Sequence, residues 1–406
     1  MYPSYSIPEV ALELEYRPYF INTIKSNMAS HGIARTIRGR TDQQRLQDLE
    51  KIKIYRDLES QVRSRAALGN YDLALFNLTT KLLGLNPEYH TIWNVRRRCL
   101  LSGLLPSPLD EPPSLNAPAS QAQSSNAPSL NSDGSVFQSE LTFTIPLLLK
   151  FPKSYCIWSF RKWVLSQAIL RLQAPIAREI WESELGLVSK MITRDSRNFH
   201  AWGYRRFVVA KLESHELQGK SMAETEFTYT TNAIERNLSN FSAWHNRSQL
   251  IPRLLNERGA DDKMRAAFFD RELNNVREAL DVGPEDQSLW SYHSFLISHL
   301  VDHRGRQTIV PALTLPERTA YLRREVDEIK DLLEDYPNIK WIYMGLLECS
   351  LGLERLGYEV DRSSSSFHGS ETWLLKVRAL DPMRAGRWID MERDMKRVEV
   401  RQGTLM

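Results

Sequence analysis

Apolar residues recur at helical spacing over most of the chain beyond residue 40, in paired runs separated by short turns. In YDLALFNLTTKLLGL, Leu73, Phe76, Leu78, Leu82 and Leu83 follow at steps of three, two, four and one, roughly the rhythm of one helix face. Asn86-Pro87 closes that run and opens the next, because proline is accepted in a first helical turn and disrupts an interior. The same pairing predicts helices in AREIWESELGLVSKMI then NFHAWGYRRFVVAKL, and in DRELNNVREAL then DQSLWSYHSFLI. A further pair is ERTAYLRREVDEIKDLLED then NIKWIYMGLLECSLGLERL. Ahead of the pairs, a long helix is predicted from Thr41 to about Leu68, with Thr41 or Asp42 as its cap. No segment alternates with period two between turn residues, so the expected fold is all-α.

Repetition is the stronger signal. Five segments align on tryptophan: NPEYHTIWNVRR, FPKSYCIWSFRK, DSRNFHAWGYRR, NLSNFSAWHNRS and GPEDQSLWSYHS. They carry Trp93, Trp158, Trp202, Trp244 and Trp290. A basic residue follows three positions later in each: Arg96, Arg161, Arg205, Arg247 and His293. Six positions before each tryptophan stand Pro87, Pro152, Ser196, Leu238 and Pro284. A degenerate sixth copy is expected around Trp341 and a weaker seventh around Pro382 and Trp388. Successive tryptophans are 65, 44, 42, 46 and 51 residues apart. The long first step holds a stretch dominated by Pro, Ser, Asn and Ala, which buries too little to offset its ordering entropy. It is expected to be a disordered insertion at about 104–135. Without it the step falls to about 35 residues, the length of a helical hairpin.

A hairpin cannot bury its apolar stripe alone and must stack on its neighbours. A tryptophan at a fixed place on each second helix supplies a large wedge whose N–H still needs an acceptor. The arginine one turn later is expected to lie over an aromatic face or to bind carbonyls at the end of a neighbouring helix. These residues therefore read first as core and as glue between repeats.

At 406 residues the chain exceeds a typical compact domain, but the core of a repeat array grows along one dimension. With 53 Lys+Arg against 50 Asp+Glu, the net charge of +3 gives no reason to expect nucleic acid as a partner. No run of about 18 apolar residues predicts a membrane span. The opening MYPSYSIPEVALELEYRPYF carries acids where a secretory signal needs a basic start and an apolar run, and the closing RQGTLM is no prenylation box. A cytoplasmic protein is expected. Cys99, Cys156 and Cys349 are far apart, which suits buried thiols in a reducing compartment. His299 and His303 share a helix face but lack acidic or cysteine partners nearby, so no metal site is expected in this chain.

The position five before each tryptophan holds Glu88, Lys153, Arg197, Ser239 and Glu285. Lys153 and Arg197 place cations at the starts of second helices in adjacent repeats, where N–H groups also favour anions. Two readings stand: a site for a diphosphate, or two solvated surface cations.

The unit of Asn/Asp-Pro or its variant, an aromatic, then W-x-x-R-R resembles the repeat of protein prenyltransferase α subunits. The resemblance runs from about His31 to the C-terminus. HGIARTIRGRTDQQRLQDLEKIKIYRDL, DSRNFHAWGYRRFV and DPMRAGRWIDMERDM are similar to segments of the Rab geranylgeranyltransferase (type II) branch. Phe199 stands where farnesyltransferase α subunits carry Tyr. The chain departs from the branch in the residues before His31 and in the 104–135 insertion.

The resemblance implies a right-handed α-α superhelix, a crescent solenoid of hairpins over 41–401 that wraps a β subunit, with 1–40 as an N-terminal extension. It implies a catalytic zinc in the β subunit, with geranylgeranyl diphosphate bound at the subunit interface. A Lys and a Tyr of the second repeat map onto Lys153 and Tyr155 of FPKSYCIW as catalytic residues at the diphosphate, with Arg197 and His200 as further candidates. His31 is a possible contact to the partner's site. The substrates implied are Rab GTPases presented by a Rab escort protein. Two other readings stay open: the α subunit shared by farnesyltransferase and type I geranylgeranyltransferase, acting on CaaX proteins, and a non-enzymatic helical scaffold.

Overall fold

A computed structural model describes residues 41–105, 132–301, 308–357 and 370–403. His31 and the extension at 1–40 lie outside these residues, as does most of the 104–135 segment. The part of that segment from Ser132 on opens a helix. The chain divides into two compact units, Met1–Ser64 and Arg65–Met406. In the first, helix α1 (Asp42–Ala67, running on into the second) begins at a reciprocal cap. Thr41 Oγ1 accepts from the Gln44 N–H at 3.3 Å, and Gln44 Oε1 accepts from the Thr41 N–H at 3.1 Å.

The second unit is a succession of helical hairpins, and its described residues contain no strand. Hairpin one pairs α2 (Leu73–Leu85) with α3 (His90–Cys99), and hairpin two pairs α4 (Ser132–Lys150) with α5 (Tyr155–Arg171). Hairpin three is α6 (Ala174–Arg194) with α7 (Phe199–Leu212), and hairpin four α8 (Ala223–Arg236) with α9 (Phe241–Glu257). Then come α10 (Asp262–Val282) with α11 (Gln287–Val301), α12 (Leu315–Asp335) with α13 (Lys340–Arg355), and α14 (Ser370–Leu380) with α15 (Ala385–Gly403). Polar caps set several starts: Asp72, Ser154, Asn198, Asn240 and Asp261 each accept a backbone N–H two or three residues on. Second helices pack on one another, α3 on α5, α5 on α7, α9 on α11 and α11 on α13.

The tryptophans serve both ends of this packing. Each indole N–H donates to the carbonyl six residues earlier: Trp93 to Pro87, Trp158 to Pro152, Trp202 to Ser196, Trp244 to Leu238 and Trp290 to Pro284, at 2.7–2.9 Å. That bond closes the turn before the second helix and satisfies the buried N–H. The ring faces then meet the next hairpin. Trp93 lies 4.6 Å from Phe160, Trp158 4.8 Å from Tyr204 and Trp244 4.5 Å from Tyr292.

The repeat arginines have a partner that the sequence reading did not name. Arg96, Arg161, Arg205 and Arg247 each fork onto a buried glutamate of the next hairpin's first helix: Glu140, Glu184, Glu226 and Glu272, at 2.5–2.9 Å. The remaining guanidinium nitrogen turns back to a hydroxyl on the hairpin's own first helix, Thr80, Thr144, Ser189 or Thr231. One side chain thus ties three helices. The expected aromatic contact is present in part, with Arg96 over Phe76, Arg205 over Tyr229 and Arg247 over Phe227 at 3.4–3.9 Å. A carbonyl contact occurs at Arg161, to Leu141 O at 2.6 Å.

The fifth and sixth copies depart from the pattern. His293 meets Glu325 at 3.0 Å, and Arg277, sixteen residues earlier where other hairpins keep a hydroxyl, pairs with the same carboxylate. The cation has moved from the second helix to the first. In the sixth copy the tryptophan place belongs to Tyr343, not Trp341: the Tyr343 hydroxyl donates to Pro337 O at 2.8 Å, six residues back, while Trp341 is only half-buried. Gly345 lets α13 come close to α11, since a Cβ there would stand 2.4 Å from the Trp290 ring. In the seventh, Trp388 is fully buried and donates to Asp381 O at 2.9 Å.

Candidate functional site

Because the second helices of the first five hairpins begin in the same register, the turns that precede them align along one edge of the stacked hairpins, and those of hairpins two to five are stitched to one another. Asn198, capping α7, donates to Pro152 O at 3.0 Å, and Asn237 donates to Ser196 Oγ at 3.3 Å. Ser239 bonds Asp286, and Ser288 Oγ donates to Ser239 O at 3.1 Å. This edge carries Lys153, Tyr155, Arg197 and His200.

Lys153 and Arg197 sit in the turns, just outside the helices they precede. The Lys153 ammonium is 4.0 Å from Asp195 of the next turn and its side chain is 73% exposed. Tyr155 opens α5 with 63% exposure, and its ring meets His200 edge-on at 4.6 Å. Phe199, 60% exposed, has its ring centre 4.6 Å from that of the same imidazole. Lys153, Tyr155 and His200 therefore form one cluster across hairpins two and three. Arg197 is exposed, its backbone N–H held by Asp195 Oδ1 at 3.3 Å. No contact joins its side chain to the other three among the described residues.

Partial burial lowers the His200 pKa, the Lys153 charge lowers it further, and Glu88 opposes both. Glu88 and His90, from the first hairpin, converge on the buried Cys156 thiol. His90 Nε2 is 3.5 Å from Sγ and Glu88 Oε2 3.7 Å. Burial and Glu88 push that thiol up to about 11, so it stays protonated near neutrality. The first hairpin's contribution and the capping role of Asn198 were missed from sequence. The Asx residue that stands four before the tryptophan in the third to fifth copies, Asn198, Asn240 and Asp286, was the signal for Asn198; no local pattern marks a contact spanning 66 residues.

Chemically, this edge offers an exposed ammonium, a phenol and an imidazole aimed outward beside a helix start. An anion bound there would meet the ammonium and the phenol. Among the described residues no three His, Cys, Asp or Glu side chains are placed to hold a metal ion.

A stack of Trp-Arg hairpins presenting such an edge is the architecture of one class of protein. The model of the protein prenyltransferase alpha subunit repeat matches residues 137–168, 181–212, 223–254 and 269–300. These are the second to fifth hairpins. The chain is 30% identical over 367 residues to the geranylgeranyl transferase type-2 subunit alpha of Schizosaccharomyces pombe, covering 88% of this chain and 96% of that one. It is 30% identical over 361 residues to the Saccharomyces cerevisiae protein of that name, covering 86% and 94%. To the Mus musculus protein of that name it is 32% identical over 271 residues, which is 66% of this chain and 41% of that longer relative. The chain belongs to the family of type-2 geranylgeranyl transferase alpha subunits. Membership as an alpha subunit implies a beta-subunit partner. No helix among the described residues is long and apolar enough to cross a membrane.

Proposed function

We propose that this chain, joined to a beta subunit in the cytoplasm, serves the transfer of geranylgeranyl groups from geranylgeranyl diphosphate to C-terminal cysteines of Rab GTPases presented by an escort protein. The observation that carries the reading is the Lys153–Tyr155–His200 cluster in a chain that aligns over nearly the full length of the two fungal type-2 alpha subunits. When the acceptor thiolate attacks C1 of the lipid, the bond from C1 to the diphosphate oxygen breaks and negative charge collects on the departing group. Lys153 supplies a cation to that charge and Tyr155 a hydrogen bond. Both contacts strengthen as the bond lengthens, which is the condition for raising turnover rather than only affinity. Asp195 leaves the Lys153 ammonium available, since an exposed pair at 4.0 Å is weak. His200 backs Tyr155 edge-on and fixes the phenol's direction.

The resemblance assigns a zinc to the beta subunit, and among the described residues of this chain no three His, Cys, Asp or Glu side chains are placed to hold one. The test is the co-expressed heterodimer assayed on a Rab protein, with and without escort protein, and on a CaaX peptide. Escort-dependent transfer to Rab is expected. Lys153→Ala should lower turnover by about 100-fold at unchanged heterodimer yield. Robust CaaX prenylation without escort, or full turnover in the variant, would overturn the reading.

A further inference from the structure

The W-x-x-R-R signature contains two basic residues, and the structure separates their roles. The first points inward and always finds a carboxylate, as at Arg96, Arg161 and Arg205. The second, Arg97, Lys162 and Arg206, stands in the same register on α3, α5 and α7 of three consecutive hairpins, with Arg97 and Lys162 half-buried and Arg206 exposed. None of these three has a carboxylate within ion-pair reach among the described residues. Arg97 bonds Asn94 Oδ1 at 3.1 Å and lies over Phe160 and Trp163, its Nε buried without an acceptor. Lys162 stands 5.0 Å above the Phe207 ring. Arg206 is exposed overall, yet its guanidinium is partly dehydrated, and burial lowers both Arg97 and Arg206 below the ordinary arginine value without discharging them near neutrality.

A fold that provides a buried glutamate for each neighbouring arginine leaves these three cations without a carboxylate, Arg97 and Lys162 resting on aromatic faces instead. The row also ends abruptly. The equivalent position in hairpins four and five is Ser248 and Ser294, which bond His245 O and Glu348. The cations thus occupy the three hairpins around the Lys153 cluster.

The bound diphosphate cannot be their counter-ion. From Tyr155 to Lys162 is seven helical residues, about 10 Å along the axis. Adjacent second helices lie about 8–10 Å apart, so the row spans far more than one diphosphate. A long polyanion such as nucleic acid is disfavoured by the nearly balanced charge of the chain. We infer that Arg97, Lys162 and Arg206 form a docking row for carboxylates on the beta subunit, set beside the catalytic edge so that assembly fixes the registry of Lys153 against the partner's wall. This rests on the proposed heterodimer and specifies how it is held.

The experiment is assembly of the full chain with a co-expressed type-2 beta subunit, read by co-purification and by titration of purified subunits across ionic strength. The variants are the triple Arg97→Glu/Lys162→Glu/Arg206→Glu and a control reversal on α2, Lys81→Glu. The triple variant is expected to bind at least about 100-fold more weakly at low salt, with normal thermal unfolding as the free chain, and the control to bind as wild type. The wild-type affinity should fall with added salt more steeply than that of the triple variant. Equal affinity and salt slope in wild type and triple variant would overturn the docking row while leaving the heterodimer standing. Because the Arg97 Nε is buried, the variant Arg97→Gln/Lys162→Gln/Arg206→Gln, which keeps the side chains long and removes only the charge, is titrated beside the charge-reversed one, and wild-type affinity and salt slope in that variant would also overturn the row. Failure of wild type to assemble at all would instead sink the reading of the function.

Discussion

Removing one repeat arginine gives the sharpest test of how the hairpins are joined. Arg205 and Glu226 are 3% and 4% exposed and meet through two bonds of 2.5 and 2.8 Å. The same guanidinium bonds Ser189 Oγ at 2.7 Å and lies 3.4 Å from the Tyr229 ring centre. Arg205→Ala strands a buried carboxylate, and breaking a buried pair on one side costs about 3–5 kcal/mol. Against a whole-domain stability of about 5–15 kcal/mol, that is enough to open one junction. Because stability in a repeat array is a sum of local units and nearest-neighbour interfaces, the loss should concentrate between hairpins three and four. Hydrogen exchange followed by mass spectrometry should show α7 and α8 opening well before α11 and α12, with a low-denaturant phase appearing in the urea transition. Replacing both partners, Arg205→Met with Glu226→Leu, removes the stranded charge and should recover all but about 1 kcal/mol. A single-variant loss below about 1 kcal/mol, or a double variant no better than the single, would refute the account.

Two further outcomes follow from the irregular copies. His293→Arg places a second guanidinium beside Arg277 on one buried carboxylate and should destabilise by about 2–4 kcal/mol, whereas adding Arg277→Ser restores the hydroxyl-arginine arrangement of the other junctions and should return most of that loss in chemical denaturation. Gly345→Ala drives a Cβ into the Trp290 ring and should cost about 1–3 kcal/mol, seen as a lower melting temperature, while Gly84→Ala in α2, where a Cβ meets nothing within 4 Å, should not lower it.

Much of the array was legible in the sequence because its signals are local. Helical periodicity, the Asn-Pro punctuation and the Trp register depend on neighbours within about two turns, and those contacts persist in any helical context. The tryptophan spacing even anticipates its own bond, since donor and carbonyl are six residues apart in all five copies. The buried glutamates were not read, although Glu140, Glu184, Glu226, Glu272 and Glu325 each precede an apolar residue inside a first helix. A glutamate on an amphipathic helix ordinarily marks the solvent side, so nothing local distinguishes a buried one. Trp341 misled for the related reason that a large aromatic next to the right position outweighs a tyrosine in it; only the Tyr343–Pro337 bond shows which of the two closes the turn.

The candidate site divides in the same way. Lys153 and Tyr155 belong to one short motif and could be named from it. That His200 backs Tyr155, and that Glu88 and His90 of the first hairpin close on Cys156, depended on how the hairpins stack. The sequence alone determined that the chain is a run of Trp-Arg hairpins with cations at successive helix starts, because repetition forces equivalent residues into equivalent places. The tertiary structure decided which basic residue of each pair is held by a carboxylate of the next hairpin and which is not. Charge compensation is a property of what lies opposite in space, and a one-dimensional pattern does not record the opposite side.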